Sequence, residues 1–307
     1  MRGGWALLAA ACLAACDAPM PVEPVPAPPA RPARPATPEP SALSAETAAY
    51  YARIQAAFLA QGLMRTDPGD DLPFTTRDLV ETFLRIAMYD EYTNQGGRLI
   101  ERPSASTLRR WERPVQMRVV FGPAVDPASA DRDRARISAF AARLARLTRH
   151  PISMVSSGGN FIVLILTEGE RRAYGPELAR LIPGLDRATT DAIINMDPQT
   201  YCLVVNGEVP GSMAYGKAVA VIRAENPDLL RLSCVHEELA QGLGLANDSP
   251  KARPSIFNDD EEFALLTRLD ELLLRILYDP RLKVGMTEAE ARPIVEVIAE
   301  ELMGGPA

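Results

Sequence analysis

The stretch FIVLIL at residues 161–166 constrains the fold more than any other part of the chain. It is six consecutive apolar residues with no polar position to turn toward water. A run this short and this apolar reads as a buried strand. The neighbouring VQMRVVF at 115–121 alternates and reads as a second strand. A short strand is expected at 152–155, and two more at 201–206 and 217–223. Helical spacing is seen at 42–61, at 131–148, from about 227 to 242, at 261–277 and at 287–302. A further helix opens at Thr75, three residues before Asp78, and runs to about Asp90 with Leu79, Phe83 and Ile86 as its apolar stripe. This order gives an α+β protein: a mixed sheet of about five strands with helices packed on it, a helical C-terminal part and an N-terminal helical elaboration. No internal repeat is visible.

The first 16 residues, MRGGWALLAAACLAAC, place one positive charge, Arg2, ahead of an apolar run from Trp5 to Ala15. That run is too short to span a bilayer as a helix and fits a secretory signal. Its end, Leu13-Ala14-Ala15-Cys16, resembles the bacterial lipobox, which implies a diacylated Cys16 as the first mature residue. Two acyl chains suffice for stable membrane attachment without a spanning helix. The alternative is an ordinary signal peptide cut after A-x-A, with Cys16 incidental. Asp17 resembles the enteric signal for retention in the inner membrane, which leans toward the inner membrane without deciding between the two. Ten prolines then fall between Pro19 and Pro40. Such a chain favours extended polyproline II and would reach about 70 Å at roughly 3.1 Å per residue.

The organisation expected is therefore a signal peptide at 1–15, a lipidated cysteine and linker at 16–41, helical elaboration at 42–110 and the main domain at 111–303. The chain carries a net charge of −7 with 47% hydrophobic residues. It has no basic patch, which argues against a nucleic-acid partner. Of four cysteines, Cys12 lies in the signal and Cys16 at the lipid site, leaving Cys202 and Cys234. In an oxidising envelope these two are read as a disulfide, the alternative being two buried thiols.

The segment HEELAQGLGLAND at 236–248 begins like H-E-x-x-H, but Ala240 stands where the second histidine belongs. Shifted by one residue, it resembles the metzincin pattern H-E-x-x-H-x-x-G-x-x-H/D with every spacing kept. Glu238 then matches the general base and Gly244 the turn glycine. Glu237, Gln241 and Asn247, followed by Asp248, occupy the ligand positions. At roughly 100° per residue, Leu232, Val235, Leu239 and Leu243 form an apolar stripe opposite Glu237 and Gln241, with Glu238 on the same broad polar side. His236 lies nearer the stripe and reads as a packed or capping histidine. The only other histidine, His150, sits at a helix end. Downstream, Ser255-Ile256-Phe257 resembles the Ser-x-Met turn of those proteases with Phe257 for methionine, and Leu266-Thr267, Asp270 and Leu277-Tyr278 resemble their C-terminal helix.

The same residues, with Leu243, Leu245, Asn258 and the segment 277–286, resemble an uncharacterised bacterial family, domain of unknown function 2927, over about 70–290. The resemblance implies a secreted or lipid-anchored envelope protein with a zincin-like fold, and it assigns no activity.

Three readings of the motif follow. In the first, the domain is a metallopeptidase-like pseudoenzyme that binds extended peptide or an envelope protein, or serves as a scaffold. Glutamine and asparagine are poor zinc ligands, so zinc is disfavoured and no cofactor is assigned. By the resemblance, the edge strand at 201–206 would receive the peptide, and a Cys202–Cys234 bridge would pin it to the motif helix. In the second, the domain is a hydrolase with Glu238 as general base, or one in which Glu237, Glu238 and Asp248 hold a hard cation. In the third, Glu237, Glu238 and Gln241 are a solvated helix face. The acidic run at 258–262 is read as favouring the N-terminus of the helix at 261–277 rather than as a calcium loop.

Overall fold

The computed structural model describes residues 40–304 apart from 96 and 97. The signal segment, Cys16 and the proline-rich linker through residue 39 lie outside the described residues.

The chain opens with α1 (Ala42–Ala60) and α2 (Thr76–Ala87), then a hairpin of β1 (Tyr89–Gln95) and β2 (Arg98–Ala105). There follow β3 (Val115–Phe121), α3 (Pro127–Thr148), β4 (Ile152–Met154) and β5 (Phe161–Leu166). Three short helices come next: α4 (Glu168–Ala173), α5 (Gly175–Leu181) and α6 (Arg187–Ile194). The antiparallel pair β6 (Cys202–Glu208) and β7 (Tyr215–Arg223) leads into α7 (Asp228–Gln241), α8 (Arg268–Leu277) and α9 (Glu288–Leu302). The result is the expected α+β class with a five-stranded mixed sheet in the order β4-β3-β5-β7-β6. All neighbours are parallel except β6, which runs antiparallel to β7 and forms one edge.

The apolar run of β5 is explained by what covers it. All six of its residues are buried. Phe161, Val163 and Ile165 point into a large core shared with Ile137 and Phe140 of α3, and with Val235 and Leu239 of α7. Ile162, Leu164 and Leu166 point to the opposite face, where Leu178 of α5 and Ile193 of α6 close a second core. A strand alternates its side chains across the sheet, so both faces of this one must be roofed. Each buried side chain of this size contributes about 1.5–3 kcal/mol.

Two helix boundaries and the place of the acidic run differ most from the sequence reading. The helix expected from 75 to 90 ends at Ala87 and gives way to the hairpin, so the segment 42–110 is not purely helical. Its start is as expected: Thr75 and Asp78 form a reciprocal capping box. The helix expected over 261–277 begins only at Arg268, because Thr267 and Asp270 form the capping box there. The acidic run at 258–262 is therefore not at a helix N-terminus; Asp259 and Glu261 instead adopt positive φ in a loop.

Asp270 does more than cap. It is fully buried and accepts from Ser255 Oγ at 2.5 Å and from the Ile256 N–H at 3.2 Å. That ties the turn carrying buried Phe257 to the start of α8. Burial wins over these hydrogen bonds and pushes the Asp270 carboxyl up to about 6.

Cys202 of β6 and Cys234 of α7 form a disulfide with their Cα atoms 5.8 Å apart. The bridge spans a sequence separation of 32, and a loop of that length removes about 3–4 kcal/mol of unfolded-state entropy. Urea unfolding of a Cys202→Ser/Cys234→Ser chain should show a loss of this size. Equal stability with and without the bridge would refute that contribution.

Candidate functional site

The motif helix α7 is held at both ends by other parts of the chain. Pro227 at its N-cap offers no side-chain acceptor, so the Leu230 N–H donates instead to Gln55 Oε1 of α1 at 2.9 Å. At the far end, the Gly242 carbonyl accepts from Trp111 Nε1 at 2.8 Å and the Leu243 carbonyl from Tyr278 Oη at 2.9 Å. These side chains satisfy carbonyls that a helix C-terminus leaves open. Gly244 then turns the chain with φ +128°, and the Arg109 carbonyl occupies the space a Cβ would need. Only glycine meets both demands.

Along this helix, the faces differ from a simple polar side facing water. Glu238 is 3% exposed and Gln241 5%, while Glu237 is only partly covered. The reading of these residues as a solvated face is thereby corrected: the edge of the sheet lies over them. The backbone N–H of Val204 in β6 faces the Glu238 carboxylate, whose Oε2 is buried without a hydrogen-bond partner. Gln241 Nε2 donates to both oxygens of Asp248, at 3.2 and 3.1 Å.

Asn247 does not join this group. Its N–H donates to the Ile86 carbonyl at 3.1 Å and its Nδ2 to the Arg85 carbonyl at 2.9 Å, so it closes the C-terminal end of α2. The residue meeting Gln241 is Asp248. His236 also points elsewhere. It stacks on Phe140 with ring centroids 3.9 Å apart, and its Nδ1 accepts from the Leu266 N–H at 3.1 Å. Burial drives its pKa down to about 3. His150 lies on the other side of the core against Tyr278. A histidine-based zinc centre therefore does not fit: neither histidine is aimed at Glu237, Glu238 and Gln241, and those three offer only oxygen.

The electrostatics of the site are one-sided. Glu237, Glu238 and Asp248 are all pushed well above the usual carboxylate range, first by burial and then by one another and by Glu91 of β1. Glu261 is raised to about 7 by burial and by Asp259 and Asp260. Among the described residues, the charges that act most strongly on the three are all acids.

Beside this cluster runs a cleft of about 730 Å³. Residues 203–208 of β6 form one wall, the loop at 182–186 another, and Asp90, Glu91 and Gln241 reach it from the hairpin side and from α7. The outer edge of β6 can be worked out from the ladder. Ala218 and Ala224 donate to the Asn160 and Leu166 carbonyls on the β5 side. The even residues of β7 therefore face β5 and the odd ones face β6. Because Val221 pairs with Leu203 and Val219 with Val205, the even residues of β6 turn their backbone outward. Cys202, Val204 and Asn206 thus turn N–H and C=O groups to the edge, and of these the Val204 N–H is the one that meets Glu238. Sequence reasoning anticipated this edge but not Glu91, since its hairpin was not recognised.

The fold and site define a mixed-sheet α+β domain whose antiparallel edge strand lies beside a helix bearing buried carboxylates. The chain belongs to the family described as Protein of unknown function (DUF2927), which matches residues 76–297. Neither a curated protein nor a solved structure matches it.

The raised acids carry a sign for pH. The folded chain keeps protons that the unfolded chain releases above the ordinary carboxylate range. The stability they contribute is present in acid and is lost as pH rises through the raised values, of which Glu261 at about 7 is one. His236 acts oppositely, but only below its unfolded value of about 6.5. With chelator present, unfolding midpoints should fall from about pH 6.5 to pH 8, and Glu261→Gln should flatten the fall. An identical profile in the variant would contradict the assignment.

Proposed function

We propose that the protein is a cell-envelope lipoprotein whose folded part is a non-catalytic, metallopeptidase-like module binding extended peptide by strand addition at β6. The carrying observation is the outward backbone of Cys202 and Asn206 and the outward carbonyl of Val204, whose N–H is taken by Glu238, along a cleft that residues 203–208 line without a break. Strand addition draws affinity from main-chain hydrogen bonds and specificity from alternate side-chain positions. It needs no metal. The antiparallel edge strand, the kept spacing from Glu237 through Gly244, and the Ser255–Phe257 turn before α8 support descent from a zincin-like ancestor. The departures at Glu237, Gln241 and Asn247 support loss of the zinc chemistry.

Anchoring at Cys16 is supported by the lipobox-like residues 13–16 and the ten prolines that follow. No helix among the described residues is long and apolar enough to cross a membrane. Labelling with palmitate in cells should mark the wild type and not Cys16→Ser. Label retained in the variant would refute the anchor.

A peptide library presented to the full chain tests the module. Proline at position 206 removes only an outward N–H from the backbone and is tolerated on an edge. Asn206→Pro should keep its circular dichroism and lose captured peptides about tenfold or more. Undiminished capture would place binding elsewhere. The second reading, hydrolysis with Glu238 as general base, draws on its raised pKa and unpartnered Oε2. Mass spectrometry of the captured peptides separates the two: intact peptides support the binding module, and cleavage that stops in Glu238→Gln supports the hydrolase.

A further inference from the structure

We infer that Glu237, Glu238 and Asp248, with the side-chain carbonyl of Gln241, form a site for one hard divalent cation of the calcium or magnesium class. This goes beyond the peptide-binding reading and does not depend on it.

Three observations carry it. Carboxylate oxygens of Glu237 and Glu238 lie within 4.8 Å of one another. Two oxygens on one calcium ion, each about 2.3–2.6 Å from it, span that distance. Cys202 Sγ falls within the same radius but is locked in the disulfide, so it supplies no thiolate. Second, Glu238 is 3% exposed and its Oε2 is buried without a hydrogen-bond partner, in a carboxylate that adjoins that of Glu237. An acceptor buried without a donor costs about 1–3 kcal/mol, and more when charged. A cation is the partner that would satisfy it and the adjoining acids together. Third, Glu237 and Asp248 remain partly open and Gln241 lines the cleft, which provides an entry path and room for water ligands.

The donor set selects the ion. It contains oxygen alone, which suits calcium, magnesium or manganese and not zinc or copper. Asp248 is already placed by Gln241 Nε2, so its carboxylate is oriented before any ion arrives. The neighbouring acids Glu91, Asp259 and Glu261 raise the negative potential around the site without being needed as ligands.

The test uses the purified full chain, stripped with chelator and titrated with Ca2+, Mg2+, Mn2+ and Zn2+ separately by calorimetry, with no peptide present. The expected result is one equivalent of a hard cation, with Zn2+ weaker, and a melting temperature that rises with the bound ion. Glu237→Gln and Asp248→Asn should each weaken binding by roughly tenfold or more, since even outer-shell partners of a metal are worth that much. Because each change also removes a crowded charge, the stripped variants should melt no lower than the stripped wild type, which separates lost binding from lost folding. Glu296→Gln, on the exposed side of α9, should bind as wild type does. Absence of hard-cation binding up to millimolar concentrations in the folded wild type would overturn the site and leave protons or another part of the chain to neutralise the acids. Zinc preference, or unchanged affinity in both site variants, would overturn it as well. Peptide capture that persists while cation binding fails would sink this inference and leave the strand-addition reading standing.

Discussion

Burial of β5 on both faces is the constraint from which the rest of the molecule follows. A strand with no polar side chain has no face to give to water, so two layers of helices must exist. One layer is the short set α4–α6, closing a small core over Ile162, Leu164 and Leu166. The other is built from the long helices, including α3 and α7, over Phe161, Val163 and Ile165. Phe161 then sets the height at which α7 can lie: its ring fills the place of a side chain at Gly242 and stacks against Trp111, whose indole closes the helix end. The motif is thus located by contacts that have no chemistry of their own.

Against that frame of apolar packing stands a polar conflict. Removing a carboxylate from water costs several kcal/mol even after relaxation, and α7 places Glu237 and Glu238 side by side with Asp248 close by. The fold does supply partial answers: the Val204 N–H for Glu238 and the Gln241 amide for Asp248. Neither answer is complete, since Glu238 Oε2 stays unpartnered. Other buried acids are answered, by cations where Glu168 meets Arg171, Arg172 and Arg223, and by neutral donors where Asp270 meets Ser255, Ile256 and Thr267. The contrast between an answered network and a cluster of like charges in one chain sets α7 apart from the other helices.

Much of this was legible in the sequence, for local reasons. The limits of β5, the Thr75–Asp78 start of α2 and the span of α7 depend on residues a few positions apart. The strained turn at Gly244 and the cysteine pair were also readable, the latter because only two cysteines remained. The misses have equally physical causes. The sequence of Tyr89–Gln95, YDEYTNQ, has no run of alternating apolar residues, so its start reads as the helix end. The leucine-rich run before Leu277 drew the helix start too far forward, although Thr267-x-x-Asp270 marks it by the same chemistry as Thr75-x-x-Asp78. Asn247 and Asp248 could not be told apart from spacing, because the choice depends on the Arg85 carbonyl, 162 residues away in sequence. A helical wheel also says which side is polar, but not that β6 lies across it.

The disulfide has a mechanical consequence. It closes a covalent ring running from Cys202 through β6, β7 and the first half of α7 to Cys234. The first residue of the edge strand and the middle of α7 are therefore tethered to each other. Any widening of the cleft to admit a thick occupant has to come from the unringed sides, the loop at 182–186 and the hairpin carrying Asp90 and Glu91. The edge strand is the anvil, and compliance belongs to the parts that face it.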